Sequence, residues 1–147
     1  MKVVVSGGFD PIHVGHLRMF NEAKQLAIEK GGPPDIKLVV LLNNDNWLKA
    51  KKGYFFMPAE ERAEILRSIS YVDDVVITDH TPNPKDTSVC KEIQSVRPDF
   101  FANGGDRQSD NTPEVALCNA MDVTLLWNVG GGKIRSSSEI VDRVRHK

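Results

Sequence analysis

The feature that most limits what this chain can become is its opening, an apolar run, Val3-Val4-Val5, delivered into Ser6-Gly7-Gly8-Phe9-Asp10-Pro11-Ile12-His13-Val14-Gly15-His16. After it, Leu17 to Ala27 repeats apolar residues at helical spacing. The stretch reads as a strand, a glycine turn and a helix start. Everything downstream has to fit around that unit.

A helix start leaves backbone N–H groups without partners and carries partial positive charge, so this turn is a natural seat for a phosphate chain. Gly7, Gly8 and Gly15 let backbone come close to such a ligand, having no Cβ in the way. His13 and His16 lie three residues apart across the helix start, so both rings can face the same ligand. Imidazoles there can donate hydrogen bonds to phosphate oxygens whose charge grows in a transition state.

The same alternation continues along the chain. Strands are expected at 2–6, 36–42, 71–77, 99–102 and 123–127, and helices at 14–29, 58–66, 88–96 and 113–120, with another after the glycine turn at 130–132. The first helix stops before Gly31-Gly32-Pro33-Pro34, a run that cannot continue it. Ile36 to Leu42 is apolar almost without interruption, the pattern of a parallel strand covered on both faces. Asn43 to Tyr54 reads as a polar loop at the carboxyl end of that strand, where open parallel sheets bind ligands. It holds the densest positive cluster of the chain, Lys49, Lys51 and Lys52. Five strands alternating with helices give an α/β fold: a Rossmann-like, doubly wound, five-stranded parallel sheet, in a single domain spanning 1–147.

Composition excludes some roles. A length of 147 residues with 40% hydrophobic residues suits one soluble domain, and no apolar run approaches membrane length. A formal net charge of −1 provides no basic field for a long nucleic acid, whereas a small phosphorylated ligand needs only a local positive site. The N-terminus enters the first strand without a signal-peptide pattern, so a cytoplasmic protein is expected. Cys90 and Cys118 lie 28 positions apart without a CxxC partner, so no structural zinc site is expected.

The opening motif resembles the HxGH signature of the nucleotidyltransferase superfamily that contains the cytidylyltransferases and several adenylyltransferases, and Gly8-Phe9-Asp10 fits the same pattern. The resemblance implies catalytic roles for His13 and His16 and a nucleotide lined by Gly7, Gly8, Phe9, Asp10 and Gly15. It assigns the triphosphate or acceptor phosphate to loop lysines, here Lys49 and Lys51 by their spacing before Gly53-Tyr54. Pro58 to Val76 resembles the family's Glu-Arg helix followed by Tyr-Val-Asp and a strand, which implies acceptor contact for Arg62. Ser70 stands where glycerol-phosphate and choline-phosphate enzymes often carry Arg. Asn103-Gly104-Gly105-Asp106-Arg107 is similar to the Lys-Gly-Gly-Asp turn of heptose-phosphate adenylyltransferases, with Asn103 in place of the Lys. Arg135-Ser136-Ser137-Ser138 resembles the Ser-Ser-Thr signature that opens the final helix. Gly105, Asp106, Arg135, Ser136, Ser137 and Ser138 are therefore expected at the nucleotide.

The activity these features imply is transfer of a nucleoside monophosphate from CTP to a small phosphorylated acceptor, a polyol or sugar phosphate, with release of pyrophosphate. Two other readings stand beside it: an ATP-dependent adenylyltransferase acting on a heptose or other sugar phosphate, and a nucleotide-sensing module. A phosphate monoester has its second pKa near ~6, so at neutral pH it is already a nucleophile and needs no general base. The resemblance brings Mg2+ with the nucleotide, held by phosphate oxygens and water with no protein metal ligands. It also implies a homodimer, for which Phe55-Phe56-Met57 offers apolar surface.

Overall fold

A computed structural model of the chain describes residues 1–104 and 112–130. Five strands, β1 (Lys2–Gly7), β2 (Lys37–Leu42), β3 (Asp74–Ile77), β4 (Phe100–Gly104) and β5 (Thr124–Val129), form one parallel sheet in the order β3-β2-β1-β4-β5. β1 is central, with Val3 paired to Leu38 on one side and to Phe100 on the other. Parallel neighbours need crossover connections, and helices supply them: α1 (Val14–Glu29), α2 (Asp45–Lys52), α3 (Ala59–Arg67), α4 (Cys90–Val96) and α5 (Pro113–Ala120).

Because side chains alternate across a strand, β1 feeds two cores at once. Val3 and Val5 join Leu38, Val40 and Leu42 under Phe20, Ala23 and Ala27 of α1 and Ala63 and Leu66 of α3. Val4 faces the other way, into a cluster with Val39, Leu41, Phe101, Ile93 of α4 and Cys118 of α5. All three valines are fully buried. Burial pushes the thiols of Cys90 and Cys118 upward, Cys118 to about 11, so neither is a ready thiolate. The doubly wound α/β sheet read from the sequence is the observed one, with the ends of the expected elements among the described residues shifted by three residues or fewer; the helix expected after 130–132 lies outside the described residues.

One element differs in kind. The stretch from Asn43, read as a loop, contains the helix α2. The Asn44 side chain accepts the Trp47 N–H at 3.0 Å and caps its start, and Gly53, at φ +83°, closes its end by donating to the Lys49 carbonyl at 2.9 Å. Leu48 is fully buried and anchors it. With only Trp47, Leu48 and Ala50 apolar in eight residues, no helical period rises above the lysines, although the cap signals at both ends were present.

Candidate active site

β1 delivers the glycine turn to the carboxyl edge of the sheet, between β2 and β4, where successive connections leave in opposite directions. In open α/β sheets this is the ligand-binding crevice.

His13 is the N-cap of α1. Its Nδ1 accepts the Gly15 N–H at 3.1 Å, and the Nδ1 of His16 accepts the His13 N–H at 3.1 Å. Two imidazoles thus make the reciprocal cap that Ser or Thr and Glu usually make. The rings stack with centroids 3.8 Å apart. A ring nitrogen that accepts a hydrogen bond carries no proton, so both rings are neutral and hold their proton on Nε2. Burial holds the His16 pKa far down, at about 3; a proton taken up by the stacked His13 ring would push it further the same way, as does the charge of Lys52. At neutral pH the helix start therefore presents two neutral N–H donors. Gly15 is required by this stacking: a Cβ there would stand 2.9 Å from His13 Cε1, and the imidazole would be pushed off its cap.

The side chains of Phe9 and Asp10, expected at the nucleotide, are turned inward. Phe9 is 5% exposed and meets the His16 ring edge-on at 4.8 Å and Phe20 at 5.4 Å, buttressing the histidine pair from within. Asp10 is 3% exposed, and its carboxylate accepts the N–H groups of Phe56 and Met57.

Arg62 calls for a correction. Expected to touch the acceptor, it has a fully buried side chain whose donors are spent on the protein. Nε donates to the Met57 carbonyl at 2.8 Å, one terminal nitrogen to the Gly8 and Asn43 carbonyls at 2.8 and 2.7 Å, and the other to Asp45 at 2.6 Å. Those acceptors belong to the motif turn, the end of β2, the start of α2 and the lead-in to α3. Arg62 is the junction that fixes the lysine helix against the glycine turn.

The three lysines fall in the last turn of α2 and part company. Lys49 holds its ammonium 5.1 Å from the centre of the Phe55 ring and Lys51 holds its own 5.9 Å from that of Trp47. Lys52, which the sequence left without a role of its own, is the one whose charge reaches His16. Its distance in sequence from the histidines hid it; only the helix brings it round. Gly7 ends β1 and Gly8 follows it into the turn. Gly105, Asp106, Arg135, Ser136, Ser137 and Ser138 lie outside the described residues.

Among the described residues no group of three or more His, Cys, Asp or Glu side chains is placed to hold a metal ion, and no helix is long and apolar enough to cross a membrane.

The model of one family, described as cytidylyltransferase-like, matches residues 4–142. The chain belongs to that family. This cytidylyltransferase-like chain is similar to a protein named FAD synthase from Pyrococcus abyssi (strain GE5 / Orsay), with 40% identity over 111 residues that cover 75% of the chain and 66% of that protein's length. It is similar also to a FAD synthase from Korarchaeum cryptofilum (strain OPF8), 32% identical over 145 residues, covering 97% of the chain and 90% of the relative. Among solved structures it shares its fold with a lipopolysaccharide core biosynthesis protein from Thermoplasma volcanium GSS1, at a TM-score of 0.66 and 22% identity over 87% of this chain and 95% of that one. The resemblance drawn from His13-Val14-Gly15-His16 and the membership agree.

Proposed function

We propose that this chain is an adenylyltransferase that moves AMP from ATP onto the phosphate of FMN and releases pyrophosphate, acting as one domain over 1–147. The observation that carries the transfer chemistry is the stacked pair His13 and His16, two neutral N–H donors fixed at the start of α1. An oxygen of the acceptor phosphate attacks the α-phosphorus, the bond from that phosphorus to the bridging oxygen breaks, and pyrophosphate leaves with the electron pair. Charge grows on oxygens that the two Nε2–H groups can reach, and preformed donors of this kind stabilise it without reorganising. The attacking phosphate, with its second pKa near ~6, is already largely dianionic at neutral pH.

The choice of ATP and FMN draws on the relatives named FAD synthase. FAD is FMN joined to AMP through a pyrophosphate link, so a protein that makes it from FMN must take AMP from a nucleotide. This favours the ATP reading over the CTP one reached from the sequence. Both histidines and the family membership favour an enzyme over a nucleotide-sensing module.

Lys52, whose charge reaches His16, is assigned to the reacting phosphates, with Lys49 and Lys51 serving the outer phosphates or the acceptor. Gly105, Asp106, Arg135, Ser136, Ser137 and Ser138 stay in the proposal as nucleotide contacts. Mg2+ bound to the triphosphate would neutralise part of its charge. Its octahedral preference suits phosphate oxygens and water. A cytoplasmic homodimer belongs to the same proposal. Phe56, 59% exposed next to the site, is its suggested contact, and light scattering should give twice 16.4 kDa.

A screen of the four NTPs against FMN, glycerol phosphate and sugar phosphates, read as pyrophosphate, tests the reading. ATP with FMN should yield FAD and pyrophosphate in equal amounts. Turnover confined to CTP with a polyol or sugar phosphate would replace this reading with the other, and nucleotide binding without pyrophosphate from any pair would leave a sensing module.

A further inference from the structure

Trp47 stands in the first turn of α2 with its indole held at both ends. Nε1–H donates to the Thr87 carbonyl at 2.8 Å, fastening the ring to the 78–88 loop. At the other end it abuts the motif turn, where a Cβ on Gly8 would lie 3.7 Å from indole Cζ3. The loop is tied to α2 a second time through the His80 carbonyl, which accepts from the side-chain amides of Asn44 and Asn46 at 2.9 Å each. The result is an immobilised, half-buried aromatic ring beside the phosphate site, its one polar atom already satisfied. What such a ring has left to offer a ligand is a face.

Two neighbours sharpen this. Lys51, one helical turn on, holds its ammonium 5.9 Å from the indole centre, where a cation can meet the phosphate of a molecule lying on the ring. Three buried side-chain polar atoms lack a hydrogen-bond partner among the described residues, and two of them belong to residues of this junction: Oδ1 of Asn43, which precedes the α2 cap, and Nε2 of His80, whose carbonyl takes the Asn44 and Asn46 amides. Orphaned buried groups are costly, and their presence marks this junction as one not optimised for stability alone.

We infer that Trp47 is the platform on which the planar ring of the acceptor stacks, with Lys51 at its phosphate. This rests on the flavin reading above, since a polyol or sugar phosphate has no aromatic face to lay on an indole.

The test titrates FMN and riboflavin into the full chain without nucleotide, following flavin fluorescence, and measures KM for FMN and for ATP alongside. Trp47→Leu should weaken both flavins by about tenfold to a hundredfold, the scale of losing one stacked aromatic contact, while KM for ATP holds. Trp47→Phe, which keeps a face and loses the bond to Thr87, should recover most of that affinity. Lys51→Met, a change on the exposed side of α2, should weaken FMN but leave riboflavin unchanged, and it carries the test if Trp47→Leu does not fold. Wild-type chain that makes FAD while folded Trp47→Leu keeps its FMN affinity, or Lys51→Met that treats both flavins as wild type does, overturns the platform alone. Wild-type chain that turns over CTP and a sugar phosphate but not FMN overturns the flavin reading, and the platform with it.

Discussion

Asp10 and Arg62 grip one short segment from opposite directions. The Asp10 carboxylate accepts the Met57 N–H at 2.7 Å, and Arg62 Nε donates to the Met57 carbonyl at 2.8 Å. Both side chains are buried, and through them the β1 turn, α2 and α3 are locked into one body.

Arg62→Ala should therefore behave as a stability mutation. It strands Asp45 and leaves three backbone carbonyls without their donor, which costs about 3 kcal/mol or more. For a chain of this size that lowers Tm by about 10 °C. Scanning calorimetry measures it, and Arg62→Lys should not restore the loss, since an ammonium cannot span four acceptors in a plane. A variant of unchanged Tm with only a raised KM would return Arg62 to the acceptor.

His13 has two jobs that one substitution can separate. Asn is a strong N-cap, so His13→Asn should keep the melting temperature near that of the wild type while removing the Nε2–H donor. We expect kcat to fall by about a hundredfold to a thousandfold, the scale for one transition-state donor. Steady-state kinetics beside a melting curve reads both. Wild-type turnover in this variant would mean that His13 only caps the helix.

His16 ties stability to pH. Its folded value is about 3, against about 6.5 in the unfolded chain. The unfolded chain binds a proton that the folded one refuses, so its contribution is fully present above about 6.5 and is lost as pH falls from there toward 3. The slope reaches about 1.4 kcal/mol per pH unit at most. His16→Gln can rebuild the reciprocal cap without titrating, so urea midpoints between pH 4 and 6.5 should depend on pH less steeply in the variant. Equal slopes would contradict the buried neutral ring.

The lysines should rank by position. Lys52→Ala should lower kcat/KM more than Lys49→Ala, and the deficit should shrink at high salt as the charge it removes is screened. The same variant should move the His16 titration upward, which NMR of the ring can follow. A larger loss from Lys49→Ala would reverse the assignment.

What the sequence made legible follows from how local each signal is. Val3-Val4-Val5 and Leu38 to Leu42 announce buried parallel strands because both faces are covered, and the histidine motif announces its own strand-turn-helix setting. Arg62 could not be read as buried, since one arginine on an acidic helix looks solvated until four distant acceptors converge on it. Asp10 misled in the same way: its partners are Phe56 and Met57, 46 and 47 positions on. The protonated nitrogen of each histidine was out of reach too, because it depends on which backbone N–H the other nitrogen faces.

The strand order has one more consequence. α2 and the 78–88 loop both follow strands on one side of β1, are stitched to each other through Thr87 and His80, and meet the β1 turn through Trp47 and Leu48. They form a cassette. Exchanging residues 44–48 and 78–88 together, with Lys49, Lys51 and Lys52 kept, should re-address the protein to a different acceptor while its phosphate chemistry stays where it is, so the fold keeps the reaction and its destination on separate, interchangeable parts.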